Sequence, residues 1–159
     1  KFNLSLDLKL MQENLGKDYV VLLRMHYFIA DHIDVSEYEG FACNLSKYDD
    51  IAELYLITDI LITDYSSVFF DLANLKRPIL FYTYDLEKYR DELRGFYLDI
   101  EKEAPGPLLM TSEEVVDAIM NIENIKEQYS DVYEEFYQKF CSWNDGKATE
   151  RVFKKVFLK

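Results

Sequence analysis

Apolar residues along this chain switch repeatedly between helical spacing and short unbroken runs. Leu4, Leu8, Met11 and Leu15 recur at helical spacing, and Gly16 is placed to stop that helix. Tyr19 to Met25 is an apolar run interrupted only by Arg24, as expected of a strand covered on both faces. Asp31 to Gly40 reads as an acidic loop, and Phe41 to Leu45 as a short second strand. Asp49 or Asp50 caps a helix in which Ile51, Leu54, Tyr55 and Thr58 share one side. Ile60 to Ile62 is a third strand that breaks at Thr63-Asp64, and a helix over Ser67 to Leu75 follows with Val68, Leu72 and Leu75 at its spacing. Pro78 to Tyr82 is a fourth strand, Leu86 to Leu93 a short helix stopped by Gly95, and Glu103 to Pro107 a rigid loop. Thr111 and Glu114 form a capping-box pattern ahead of Val115, Val116, Ile119 and Ile122. One longer helix is expected from Glu123 to Trp143, and Asn144-Asp145-Gly146 turns the chain into a last one.

Strands alternating with helices of this length predict parallel βαβ units, hence a three-layer, Rossmann-like α/β domain spanning residues 1–159, with its C-terminal helices from about residue 112 onward. In such sheets ligands bind beyond the carboxyl ends of the strands. His26 and Thr63-Asp64 both fall at such ends, so the topology brings them to one edge.

The stretch Thr63-Asp64-Tyr65-Ser66-Ser67 has the chemistry of an anion site. It leads from a buried strand onto a helix start, where free backbone N–H groups face outward. Ser66 and Ser67 let a phosphate approach the backbone and add hydroxyl donors. Asp71 lies four residues after Ser67 on the same helix face, where it would accept bonds from a ribose. The spacing is equally satisfied by a plain capped helix, with Ser66 as N-cap and Asp71 solvated.

Composition narrows the partners. The 18 basic and 30 acidic residues give a formal charge of −12, which argues against nucleic acid. Cys43 and Cys141 form no metal-ligand or redox motif and are expected to be free thiols in a reducing cytosol. No apolar run approaches a membrane span in length, and no signal peptide is visible. The chain starts at Lys1, already in a helical pattern, and reads as a piece of a longer protein. The last helix combines Arg151, Lys154, Lys155 and Lys159 with Val152, Phe153, Val156 and Phe157, a basic amphipathic pattern suited to an anionic membrane or to another domain.

The runs Arg24-Met25-His26-Tyr27, Leu61 to Ser67, Phe70-Asp71, Arg77-Pro78, Arg94-Gly95 and Pro105-Gly106-Pro107 together resemble the C-terminal half of the CDP-glycerol glycerophosphotransferases of teichoic acid synthesis. The resemblance runs from about Tyr19 to Arg151, and the serine turn is similar to that of other two-domain GT-B transferases. It implies the donor half of a GT-B enzyme whose N-terminal acceptor domain is absent from this chain. The implied reaction transfers glycerol phosphate from CDP-glycerol to a lipid-linked polyol-phosphate acceptor and releases CMP. By the same resemblance Thr63, Asp64, Ser66 and Ser67 hold the pyrophosphate and Asp71 the ribose. His26 is catalytic, as charge stabiliser, acid or base, and Arg24 and Arg94 are further phosphate partners. No metal-ligand cluster is visible and no cofactor is expected; a metal bridged by the diphosphate is left open. The location implied is the cytoplasm, peripheral on the inner face of the bacterial membrane. A CDP-ribitol donor, another sugar-nucleotide transferase or epimerase, and a non-catalytic nucleotide-binding module are the alternatives.

Overall fold

The computed structural model describes residues 4–25, 34–86 and 98–158. Its framework is β4 (Ile79–Tyr82), whose side chains alternate between two apolar cores. Leu80 and Tyr82 enter one core, with Leu8, Met11 and Leu15 of α1 (Leu8–Leu15) and Val115, Val116 and Ile119 of α5 (Ser112–Met120). Ile79 and Phe81 enter the other, with Phe69, Leu72 and Ala73 of α3 (Val68–Ala73) and Phe136 of α7 (Ser130–Phe140). Helices therefore cover both faces of the sheet, giving three layers.

Parallel ladders join β3 (Leu61–Thr63) to β4 and β4 to β5 (Leu108–Leu109), with Leu61 opposite Ile79 and Phe81 opposite Leu108. A second parallel ladder joins β1 (Val21–Leu23) to β2 (Ala42–Asn44). Val21, Leu23 and Ala42 share their core with Ile60, Ile62 and Leu80, which places both ladders in one layer. A helix of one turn or two enters each crossover: α2 (Ile51–Ile57) before β3, α3 before β4 and α4 (Ile100–Glu103) before β5.

Local signals fix several starts. Asp7 caps α1 by accepting the Leu10 N–H at 3.0 Å, so that helix begins at Leu8 and Leu4 packs on the core ahead of it. Asp50, rather than Asp49, caps α2 through the Ala52 N–H at 2.8 Å. Thr111 and Glu114 close the capping box of α5 in both directions.

Three expectations are corrected. The strand over Tyr19–Met25 is only Val21–Leu23, which leaves Arg24 exposed at its end instead of inside an apolar run. Leu108–Leu109 is a strand that the rigid-loop reading passed over, because two residues cannot show a period. The single helix from Glu123 to Trp143 is two, α6 (Ile122–Gln128) and α7, broken at Tyr129 (φ −97°, ψ 5°). The break lets the chain change faces: Ile122 and Ile125 pack on the α1 side, Tyr133, Phe136 and Tyr137 on the α3 side. A straight helix would reach only one of them.

The last helix, α8 (Ala148–Phe157), carries Val152, Phe153, Val156 and Phe157 on its surface, at 52% to 70% exposure. Among the described residues no helix is long and apolar enough to cross a membrane. The helix expected over Leu86–Leu93 and its stop at Gly95 lie outside the described residues beyond Leu86.

Candidate functional site

The carboxyl edge of β3 ends in Thr63, which is buried, and the chain then turns through Asp64, Tyr65 and Ser66 onto α3. Two hydrogen bonds set this turn. The Asp64 carboxylate accepts the Ser66 N–H at 2.9 Å, and the Tyr65 hydroxyl donates to the Asp85 carboxylate, also at 2.9 Å. Asp85 lies three residues beyond the end of β4, so the turn is tied to the neighbouring strand's carboxyl end. Burial, and then the bond to Asp85, push the Tyr65 phenol well above its ordinary range. It is a neutral donor at physiological pH.

Ser67 is the residue that precedes α3, not Ser66, and its side chain makes no capping bond. Both serines are exposed, and neither hydroxyl is engaged by another described residue. The first N–H groups of α3 lack intrahelical partners by position. Two uncommitted hydroxyls and a helix start thus share one open surface, a donor array suited to phosphate oxygens.

Asp71 is exposed one turn along α3. Tyr55 of α2 lies within its electrostatic reach and that of Arg24. Burial most strongly, then the Asp71 charge, raises the Tyr55 phenol above its ordinary value, while Arg24 opposes them. The Arg24 guanidinium donates through Nη1 to the carbonyls of Leu45 (3.2 Å) and Tyr48 (2.6 Å). It braces the loop between β2 and α2.

Thr63, Asp64, Ser66, Ser67 and Asp71 are therefore brought to one edge of the sheet, and Arg24 stands at the same edge with a structural task. His26 and Arg94 lie outside the described residues. Sequence reasoning missed Asp85 and Tyr55, whose roles depend on contacts between separate elements; only the polar tail of a hairpin-free strand end, Tyr84-Asp85, hinted at the first. A cavity of about 200 Å³ lies at the opposite, amino end of β4, between Pro78, Pro105, Tyr129 and Tyr133. Among the described residues no three His, Cys, Asp or Glu side chains are grouped to hold a metal ion, and Cys43 and Cys141 are free.

A three-layer parallel sheet with an open hydroxyl-lined turn at its carboxyl edge is a Rossmann-like ligand-binding domain. Comparison with known proteins makes this specific. The model of the CDP-glycerol:poly(glycerophosphate) glycerophosphotransferase family matches residues 1–158, and the chain belongs to that family. It is 53% identical over 157 residues to the teichoic acid poly(glycerol phosphate) polymerase of Bacillus subtilis, covering 99% of this chain and 21% of that protein. It is 48% identical over 157 residues to the teichoic acid glycerol-phosphate transferase of Staphylococcus aureus, covering 99% of this chain and 40% of the relative. A solved structure of the wall teichoic acid polymerase TagF superposes with a TM-score of 0.88 at 45% identity, over 95% of this chain and 37% of that one. Ribitol-phosphate enzymes are more distant, the poly(ribitol-phosphate) polymerase of Bacillus spizizenii being 35% identical over 153 residues. The chain thus spans between a fifth and two fifths of the length of these glycerol-phosphate relatives.

Proposed function

We propose that this chain is the donor-binding domain of a CDP-glycerol glycerophosphotransferase. The observation that carries the reading is the open Ser66–Ser67 pair on the β3–α3 turn, within a chain matched by the family along nearly its whole length. The turn N–H groups and both hydroxyls bind the donor's pyrophosphate, with Thr63 and Asp64 supporting the turn from beneath. Asp71 accepts from the ribose hydroxyls. The terminal hydroxyl of a lipid-linked acceptor attacks the glycerol-bearing β-phosphorus. The bond from that phosphorus to the bridging oxygen breaks, CMP leaves with the bridging oxygen, and the acceptor grows by one glycerol phosphate. Such a transfer asks the protein mainly for positioning and charge stabilisation. His26, three residues after β1 in the chain, is assigned the proton or charge chemistry, which suits a group titrating near neutral pH. Arg94 is assigned to the phosphates; Arg24 reaches them only by releasing its two carbonyls.

Glycerol is favoured over ribitol by the higher identity to glycerol-phosphate enzymes. The acceptor side of the cleft belongs to the remainder of the longer protein, against which the apolar face of α8 packs. Working at the cytoplasmic face of the membrane follows from the lipid-linked acceptor.

Calorimetric titration with CDP-glycerol, CMP and UDP-glucose tests the reading, on this domain and on the full-length protein, with Ser67→Ala and Asp71→Ala beside each. The expected result is binding of CDP-glycerol ahead of UDP-glucose, weakened by both substitutions. Binding by the full-length protein that ignores both would remove the site from this turn.

A further inference from the structure

Tyr55 carries a hydroxyl whose oxygen is fully covered and has no hydrogen-bond partner. Its ring packs against the core that contains Phe69 and Leu72. An unpaired buried polar group costs stability, and a phenylalanine would fill the same volume without that cost. Packing alone does not account for the hydroxyl.

Two charges act on it, Arg24 and Asp71. Arg24 is committed to the Leu45 and Tyr48 carbonyls. The Asp71 carboxylate is exposed on α3 and accepts no hydrogen bond from the described residues. A phenol donor without an acceptor therefore stands within electrostatic reach of a carboxylate without a donor, and an exposed aspartate is free to change rotamer. One carboxylate oxygen can accept from the phenol while the other accepts from a ligand hydroxyl.

Resting on the reading of Asp71 as the ribose-binding carboxylate, we propose that Tyr55 is a positioning residue for it. Its hydroxyl donates to Asp71 when a nucleotide is bound and fixes the second oxygen toward the ribose. In the empty domain that bond is open, so its formation belongs to donor binding.

The test is steady-state transfer from CDP-glycerol by the full-length protein, with thermal melts, for Tyr55→Phe, Asp71→Ala and the double variant. Tyr55→Phe is expected to raise the KM for CDP-glycerol about fivefold, to leave kcat within about twofold and to keep or raise Tm. In the Asp71→Ala background it is expected to add nothing further. An unchanged KM in Tyr55→Phe beside a raised KM in Asp71→Ala overturns the proposal and keeps the ribose assignment. A lowered Tm with unchanged KM makes Tyr55 a packing residue only, and effects that add show that it acts elsewhere. An unchanged KM in Asp71→Ala removes the ribose assignment itself, and the proposal with it.

Discussion

The Tyr65 hydroxyl donates to the Asp85 carboxylate at 2.9 Å, joining the turn after β3 to the chain just beyond β4. The parallel ladder ends at Thr63 opposite Phe81, so neither turn residue is held by strand pairing. The side-chain bond takes over where the ladder stops. It sets the turn's direction one residue before the two exposed serines, and Asp64 finishes the task through the Ser66 N–H.

Tyr65→Phe should therefore damage the site more than the fold. Loss of one partly solvated phenol–carboxylate bond is expected to lower unfolding free energy by about 1 kcal/mol. The Asp85 carboxylate is then free to turn toward the anion, so CDP-glycerol affinity is expected to fall by about tenfold. Denaturant melts and calorimetry on the same preparation separate the two quantities. A stability loss with unchanged affinity would show that the tether does not orient the serines.

Alkaline stability should report the buried phenols. Burial raises Tyr65 and Tyr133 above the ordinary value of 10.0, helped by Asp85 for the first and by the nearby Cys141 for the second. In the folded state each keeps its proton at a pH where the unfolded chain has lost it. Their contribution is therefore complete below about pH 10 and is lost as pH rises above it, because the unfolded state then binds fewer protons. Urea melts from about pH 8.5 to about pH 11 are expected to show falling stability, with a shallower fall in Tyr133→Phe. Equal slopes in both proteins would place the titration on other groups. Phe removes one hydrogen bond, from the Tyr133 hydroxyl to the Arg77 carbonyl at 2.7 Å, so the comparison is of slopes and not of absolute values.

The parts of this domain readable beforehand are those encoded within a few neighbouring residues. Asp50 before α2, the Thr111–Glu114 capping box and the change from Ile60–Ile62 to Ser66-Ser67 each act over three or four positions. The two-sided burial of β4 was likewise carried by its unbroken apolar run. What was hidden is built between elements. Tyr65 and Asp85 are 20 residues apart with a whole strand between them. The Tyr129 break contains neither Gly nor Pro, and follows from a need to pack α6 and α7 on opposite faces. Arg24 read as a charge in an apolar strand because the carbonyls it braces, Leu45 and Tyr48, arrive from another crossover.

Gly106 is fixed by a close approach. A Cβ at this position would stand 1.8 Å from the Ile79 carbonyl oxygen, a backbone atom that cannot swing aside. Relief requires moving the Pro105-Gly106-Pro107 segment away from β4. That motion breaks the Phe81 N–H bond to the Pro107 carbonyl (3.0 Å) and then the Thr83 N–H bond to Leu109 (2.7 Å), which together hold β5. Gly106→Ala is expected to cost more than about 3 kcal/mol, by strain and lost pairing. Chemical denaturation checks it, and a loss below about 1 kcal/mol would mean that the segment shifts without releasing β5.

The last helix should be dispensable to this domain and indispensable beyond it. Val152, Phe153, Val156 and Phe157 are mostly exposed, and none belongs to either core. The helix is held at its base, where Arg151 bonds the Asp145 carboxylate at 2.7 Å and the Trp143 carbonyl at 2.7 Å. Exposed apolar side chains return no burial energy to the domain that carries them, so removing residues 148–158 is expected to change its unfolding free energy by less than about 1 kcal/mol. In the full-length protein Phe153→Glu with Phe157→Glu is expected to lower Tm and transfer activity together, because the apolar face there meets the rest of the polypeptide. Thermal melts of both preparations decide the matter. A large loss in the isolated domain would show that α8 folds back onto its own core, and an unaffected full-length protein would show that its apolar face is left free.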